Sequence, residues 1–166
     1  MSIRPKIEAA LAATAERLHP GSGADAVHQS KNDLVSIEGT SDDISGRYAN
    51  AEIVIAAPAV YETKHPDGDP VTIKKRHDGL IVVYPDGFIY VHAMALGLRE
   101  VKALGKDEVS VEPITMVLDG AEVPGLRITG RAGRPKFALA IAPAKESGDP
   151  AEQVAIRDEI HRALAG

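Results

Sequence analysis

The chain has no cysteine and no tryptophan, and its 166 residues include only four Tyr and two Phe. Without cysteine there is no disulfide framework, no thiolate zinc site, no iron–sulfur cluster and no cysteine nucleophile. With so few rings, the core must be built from Val, Ile, Leu and Ala. No run of 18 apolar residues occurs, so no segment has the length to span a bilayer as a helix. The opening stretch, MSIRPKIEAALAATAERLHP, lacks a basic region followed by a continuous apolar run, and so does not read as a secretory signal. These absences point to a cytoplasmic location. A positive excess is missing as well: the net charge is −5. Residues 1–70 carry 6 Lys and Arg against 11 Asp and Glu, whereas residues 71–166 carry 13 of each. That balance argues against a nucleic-acid partner.

Catalytic signatures are also missing. There is no Gly-x-Ser-x-Gly elbow and no metalloprotease helix. Gly21-Ser22-Gly23 lacks the Lys-Ser/Thr of a phosphate loop. The reading is therefore of a non-enzymatic protein, with no catalytic residue, metal site or cofactor assigned.

What is present is ordinary globular material, 44% hydrophobic and 26% charged, enough to bury a core without staples. Ser2 to Leu18 reads as a helix capped by Ser2, with Pro5 in its first turn. Ile3, Ile7, Leu11 and Leu18 make an apolar stripe, which His19-Pro20-Gly21 ends. This stripe is either a partner-docking face or the side that packs on the chain's own core or a second copy. Residues 20–50 read as a polar connector with one short strand at Asp33 to Glu38.

From residue 51 the pattern turns to short apolar runs. Glu52 to Ala57 reads as a strand limited by Pro58, with Val60 to Thr63 extending it past a bulge. His65 to Pro70 is turn chemistry, and Val71 to Lys75 alternates. Gly79 to Tyr84 and Phe88 to His92 flank Pro85-Asp86-Gly87, a hairpin in which Asp-Gly supplies the positive φ of a tight turn. Ala93 to Lys106 fits either helix or strand. Val109 to Val111 and Ile114 to Leu118 read as strand, and Leu126 to Thr129 with Phe137 to Ile141 as a second hairpin. Ser147-Gly148-Asp149-Pro150 introduces a last helix, capped by Asp149, whose apolar face is Val154, Ile156, Ile160 and Leu164.

The organisation is thus an N-terminal helix (1–19), a connector (20–50) and a β-domain with a closing helix (51–166). The fold class is α+β: an antiparallel roll or barrel of about seven strands with a C-terminal capping helix. This order resembles that of the small bacterial pleckstrin-homology-like (PH-like) domains. The resemblance lies in Gly79 to Val91, strand–turn–strand, and in Gly125-Leu126-Arg127-Ile128-Thr129-Gly130, Lys136 to Ile141 and the helix Asp149 to Ala165. It covers roughly residues 71–166. It implies a binding or assembly scaffold for lipid headgroups, peptides or partner domains, without catalysis. The aromatic often carried by that family's closing helix is absent here.

Two basic clusters follow as candidate ligand contacts, because Lys and Arg form charge-assisted bonds to phosphate. They are Lys74, Lys75 and Arg76, and then Arg127, Arg131, Arg134 and Lys136. The plain alternative is solvated turns and edges. Arg131-Ala132-Gly133-Arg134-Pro135 resembles a minor-groove hook but has Ala132 where the second basic flank belongs. The expected partners are a protein, a second copy or an anionic lipid headgroup. Two other readings are weighed. One is a structural subunit of a larger particle, such as a phage or secretion-type tail or connector, using helix and connector as assembly arms. The other is a small metal-dependent hydrolase using His65, Asp67 and Asp69. Asp42 and Asp43 read as solvated loop.

Overall fold

The computed structural model describes residues 3–40, 44, 47–48, 50–143 and 148–165. Ser2, Asp42, Asp43 and Ser147 lie outside the described residues. Among the described residues the helices α1 (Arg4–Leu18), α2 (Gly23–Gln29), α3 (Lys31–Glu38) and α4 (Pro150–Ala165) accompany eight strands. The strands are β1 (Ile55–Glu62), β2 (Val71–Thr72), β3 (His77–Tyr84), β4 (Gly87–Ala93), β5 (Arg99–Gly105), β6 (Val109–Leu118), β7 (Ala121–Gly130) and β8 (Lys136–Ile141).

All eight strands form one curled sheet in the order β2-β6-β7-β8-β1-β3-β4-β5. Every pairing is antiparallel except that of the two-residue β2 with β6. With β2 set aside, two antiparallel blocks, β1-β3-β4-β5 and β6-β7-β8, join where β1 meets β8. This is an α+β half-barrel with a C-terminal helix, the class the strand order led one to expect, with eight strands where about seven were expected.

Three apolar layers hold it. The concave interior is filled by Ile81, Val83, Tyr90, Leu126 and Leu139, and covered by Ile156, Ile160 and Leu164 of α4. On the outer face of β1, β3 and β4, Ile7 and Leu11 of α1 and Leu34 and Ile37 of α3 pack on Leu80, Val82 and Val91. On the outer face of the other block, Val71 and Ile73 pack on Met116, Ala138 and Ala140. Both faces of the central strands are therefore buried, and β1 has no exposed residue. That is why these strands read as continuous apolar runs instead of an alternation.

Several expectations are corrected. Asp33 to Glu38 is helix, not strand. The run Asp33-Leu34-Val35-Ser36-Ile37 carries β-branched residues, but Leu34 and Ile37 are three apart and both buried on one helical side. The described residues of the 20–50 segment thus include the helices α2 and α3, of which α3 covers the sheet. Pro58 does not end β1. It sits inside the strand, where the ladder to β8 begins only at Ala59, so its missing N–H falls beside no strand partner on that side. Residues 99–105 settle as strand. The Pro85-Asp86 hairpin is present, but Gly87 is its first strand residue and has no positive φ. Glycine is needed there because a Cβ would lie 2.4 Å from the Leu104 carbonyl oxygen. Asp149 does cap α4, its Oδ1 accepting the Ala151 N–H at 2.9 Å. The buried face of α4 includes Gln153 where Val154 was expected; Val154 is 41% exposed.

Candidate functional site

The strand registers bring three loops to one end of the sheet. Tyr61 pairs with His77, Gly79 with His92, Ala93 with Arg99, Glu62 with Ala138 and Thr129 with Lys136. The start of the β1–β2 loop, the β4–β5 loop and the β7–β8 turn therefore share a mouth. An open depression of about 670 Å³ lies there, lined by Lys64, Pro66 and Asp67 of the first loop, Arg134 and Pro135 of the turn, Lys136 of β8 and Lys102 of β5. Four cations from three parts of the chain converge on it.

Their partners differ. Lys136 is paired with Asp67, and this contact holds the Asp67 carboxyl below the usual carboxylate range. Lys102 Nζ lies 3.2 Å from Glu100 Oε1. Lys64 and Arg134 are exposed, with no side-chain partner among the described residues.

Behind the mouth stands a buried ring cluster. Tyr90 and Phe137 have centroids 4.5 Å apart, and Tyr61 and His92 5.1 Å. Tyr61 donates its hydroxyl to the Leu80 carbonyl at 2.6 Å. His92 is 4% exposed. The carbonyl oxygen of Ala93 accepts from its Nδ1 at 3.1 Å and from His77 Nδ1 at 3.0 Å. His92 Nε2 lies 3.5 Å from Glu100 Oε2. Burial pushes the imidazole pKa down; the Ala93 bond and Glu100 oppose this. Glu100 stands between this ring and Lys102 at the mouth.

The two basic clusters expected from the sequence do not meet. Arg76 bonds Asp78 at 2.8 Å and the Pro143 carbonyl at 3.0 Å, and reaches Asp119 at 3.4 Å. That places Lys74, Lys75 and Arg76 near the β6–β7 turn. Arg131 and Arg134 stand at the other end of the ten-residue β7, roughly 30 Å away at the rise of a strand. Lys74 and Lys75 point to solvent there. Arg127 is engaged by its own chain. It holds Glu112 with two bonds at 3.0 and 3.2 Å, and the Pro66 carbonyl at 3.0 Å. It is a clamp for the β1–β2 loop, with its side chain 13% exposed. Arg131 is exposed beside the mouth without lining the depression. Of the seven cations expected, Arg134 and Lys136 line it.

Lys64 and Lys102 were missed. Lys102 lay in the stretch whose periodicity fitted helix and strand equally, and nothing in the spacing brings Lys64 near it. The docking face expected of helix 1 is covered: Ile3, Ile7, Leu11 and Leu18 are each at most 2% exposed, packed within this chain. Pro5 does stand in the first turn of α1. The metal reading of His65, Asp67 and Asp69 finds no shared centre. Asp67 faces Lys136, and Asp69 Oδ1 accepts the Thr115 N–H at 3.0 Å. Among the described residues no three His, Asp or Glu gather to hold an ion. No described helix is long and apolar enough to cross a membrane.

No family model and no curated protein matches the chain. Solved structures similar to it include Vav1 bound to an allosteric inhibitor, at 9% identity over 87% of this chain and 36% of that one, with a TM-score of 0.45. Another is the N-terminally truncated linker-DH/PH unit of p115-RhoGEF, at 11% identity over 88% and 42%, with a TM-score of 0.43. The chain thus spans less than half the length of either.

Proposed function

We propose that this chain is a non-enzymatic binding module of PH-like type that holds an anionic, phosphate-bearing ligand at the mouth of its half-barrel. The observation that carries the reading is the convergence of Lys64, Lys102, Arg134 and Lys136 on one depression in a protein whose net charge is −5. Here the acids at the mouth, Asp67 and Glu100, each contact one lysine, and Lys64 and Arg134 remain for a ligand. Phosphate oxygens accept charge-assisted bonds from both ion types.

Calorimetric titration with inositol hexakisphosphate tests it. Lys102→Glu and Arg134→Glu are each expected to weaken binding by at least about tenfold, the effect of one lost charge-assisted contact plus a repulsive one. Lys74→Glu, at the far end of β7, leaves it unchanged. Affinity falls with added salt because the contacts are exposed. Absence of binding to the wild-type protein at low salt overturns the reading.

A further inference from the structure

The sheet ends on two edge strands, and they are guarded differently. β2 has only two residues and follows Pro70. β5 pairs with β4 alone, in unbroken register from Arg99 to Gly105, with no bulge and no proline. Of its residues only Gly105 is buried. A long unbroken edge is a template for a further strand unless charge, proline or a bulge blunts it.

The polar groups of β5 face that edge at alternate residues. The Lys106 N–H donates to the Asp86 carbonyl at 2.9 Å, and the Met94 N–H to the Leu98 carbonyl at 2.7 Å, so the even-numbered residues of this run face β4. The Gly105 N–H turns the other way, to Glu108 Oε2 at 3.2 Å. By alternation the N–H and C=O groups of Arg99, Val101 and Ala103 point away from β4, and nothing among the described residues bonds them. Side chains alternate as well. Val101 and Ala103 lie in the outer apolar layer and Leu104 against the concave interior, which sets Glu100 and Lys102 on the concave side.

We propose that β5 is a dimer edge: it pairs antiparallel with β5 of a second copy of this chain, about a two-fold axis at Val101. The charges select both the occupant and the register. With the axis at Val101, Glu100 of each chain stands opposite Lys102 of the other, at the closer, non-hydrogen-bonded positions where opposite charges attract. Val101 exchanges backbone bonds with its own counterpart. Arg99 does so with Ala103 of the second copy, whose small side chain leaves room for the guanidinium that Asp33 holds at 2.8 Å. Leu98, 62% exposed, comes opposite Leu104 of the second copy. Moving the axis one residue, to Glu100 or Lys102, sets that residue against its own like charge. Moving it two, to Arg99 or Ala103, sets Lys102 against a leucine. The strand's charges thus match its own reverse, as a symmetric contact requires. The joined sheet ends on β2 at both sides, so association stops at two.

Sedimentation equilibrium without added ligand tests it. The wild type is expected at twice the chain mass. Glu100→Lys and Lys102→Glu each set like charges opposite one another and raise the dimer dissociation constant at least about tenfold. Circular dichroism matching the wild type reports that both variants fold. Mixed in equal amounts, the two variants restore opposite-charge pairs and form a mixed dimer, which a merely structural role for either residue does not produce. The chain has no cysteine, so Val101→Cys places a sole thiol on the axis, with Cα atoms about 5.5 Å apart, within disulfide reach. Mild oxidation is expected to cross-link it and to leave Lys74→Cys, remote from β5, a single chain on a gel. A wild type that stays monomeric at every soluble concentration overturns the inference. So do variants that dimerise as the wild type does, a mixture that stays monomeric, or a Val101→Cys protein that does not cross-link. None of these readouts involves the ligand of the mouth, so the dimer and the anion-binding reading fail separately.

Discussion

Arg99 of β5 reaches across the outer face of the sheet to Asp33 of α3, Nε to Oδ1 at 2.8 Å, with side chains 22% and 10% exposed. The pair ties the helix that covers β4 and β5 to the edge strand beneath it. Burial pushes the Asp33 carboxyl up to about 6, with the Arg99 bond pulling the other way. An acid whose folded pKa lies above its unfolded value binds more protons in the native state, so its contribution to stability falls as pH rises between about 4 and 6. Wild-type unfolding free energy is expected to exceed that of Asp33→Asn least at pH 6 and above, and the difference to shift by roughly 2–3 kcal/mol across that window. Denaturant melts of both proteins from pH 4 to 7 measure it. Arg99→Ala leaves the buried carboxylate alone and costs about 3 kcal/mol at pH 7.

His92 gives the opposite slope. Its pKa is lowered in the fold by burial, so the unfolded chain binds more protons near the ordinary histidine pKa. Stability from this group is present above that pH and is lost as pH falls through it. His92→Phe keeps a ring against Tyr61 and Tyr90 and removes the titration. Thermal midpoints at pH 7.5 and 5.5 are expected to drop further for the wild type than for the variant. An equal drop in both would assign the acid sensitivity elsewhere.

Gly79 and Gly133 separate two uses of glycine. A Cβ on Gly79 would lie 1.9 Å from the Val91 carbonyl oxygen, in the β3–β4 ladder. Gly79→Ala forces those backbones apart and is expected to cost at least about 2 kcal/mol. Gly133 has open space around it but φ +84°, so Gly133→Ala meets only conformational strain, about 1 kcal/mol. Urea midpoints rank the two; the reverse order would contradict the close approach.

The stripe of α1 is core. Ile7→Ala and Leu11→Ala each remove a fully buried side chain from the layer over β3 and β4, with an expected loss of about 2–4 kcal/mol apiece. Light scattering should give the same mass for wild type and variants below the transition. A mass change without a stability change would restore the docking reading.

Much of the architecture could be read directly. The Gly79–Val91 hairpin, the β7–β8 pair and the Asp149-capped helix depend on neighbours within a few residues, where turn chemistry and periodicity operate. The helix α3 could not be read so. Its Leu34 and Ile37 gain their helical spacing only against Leu80, Val82 and Val91, some forty to sixty residues on. The same limit hid the mouth. Arg131, Arg134 and Lys136 stand together in the chain and invited attention, but Arg127 among them is consumed by Glu112 and the Pro66 carbonyl, a pairing across two loops. Lys64 and Lys102 carry no local mark at all.

By itself, then, the sequence determined the class of protein: no thiol or tryptophan, an aliphatic core, short strands joined by tight turns, and two bracketing helices. Periodicity and turn residues encode these because they act at short range. Only the tertiary structure decided which apolar faces are covered, that both sides of β1 and β3 are buried, and which cations share a depression. Those outcomes depend on strand register and on the order β2-β6-β7-β8-β1-β3-β4-β5. The free energy that selects a register comes from burying all three apolar layers at once, and no local stretch of chain contains that sum.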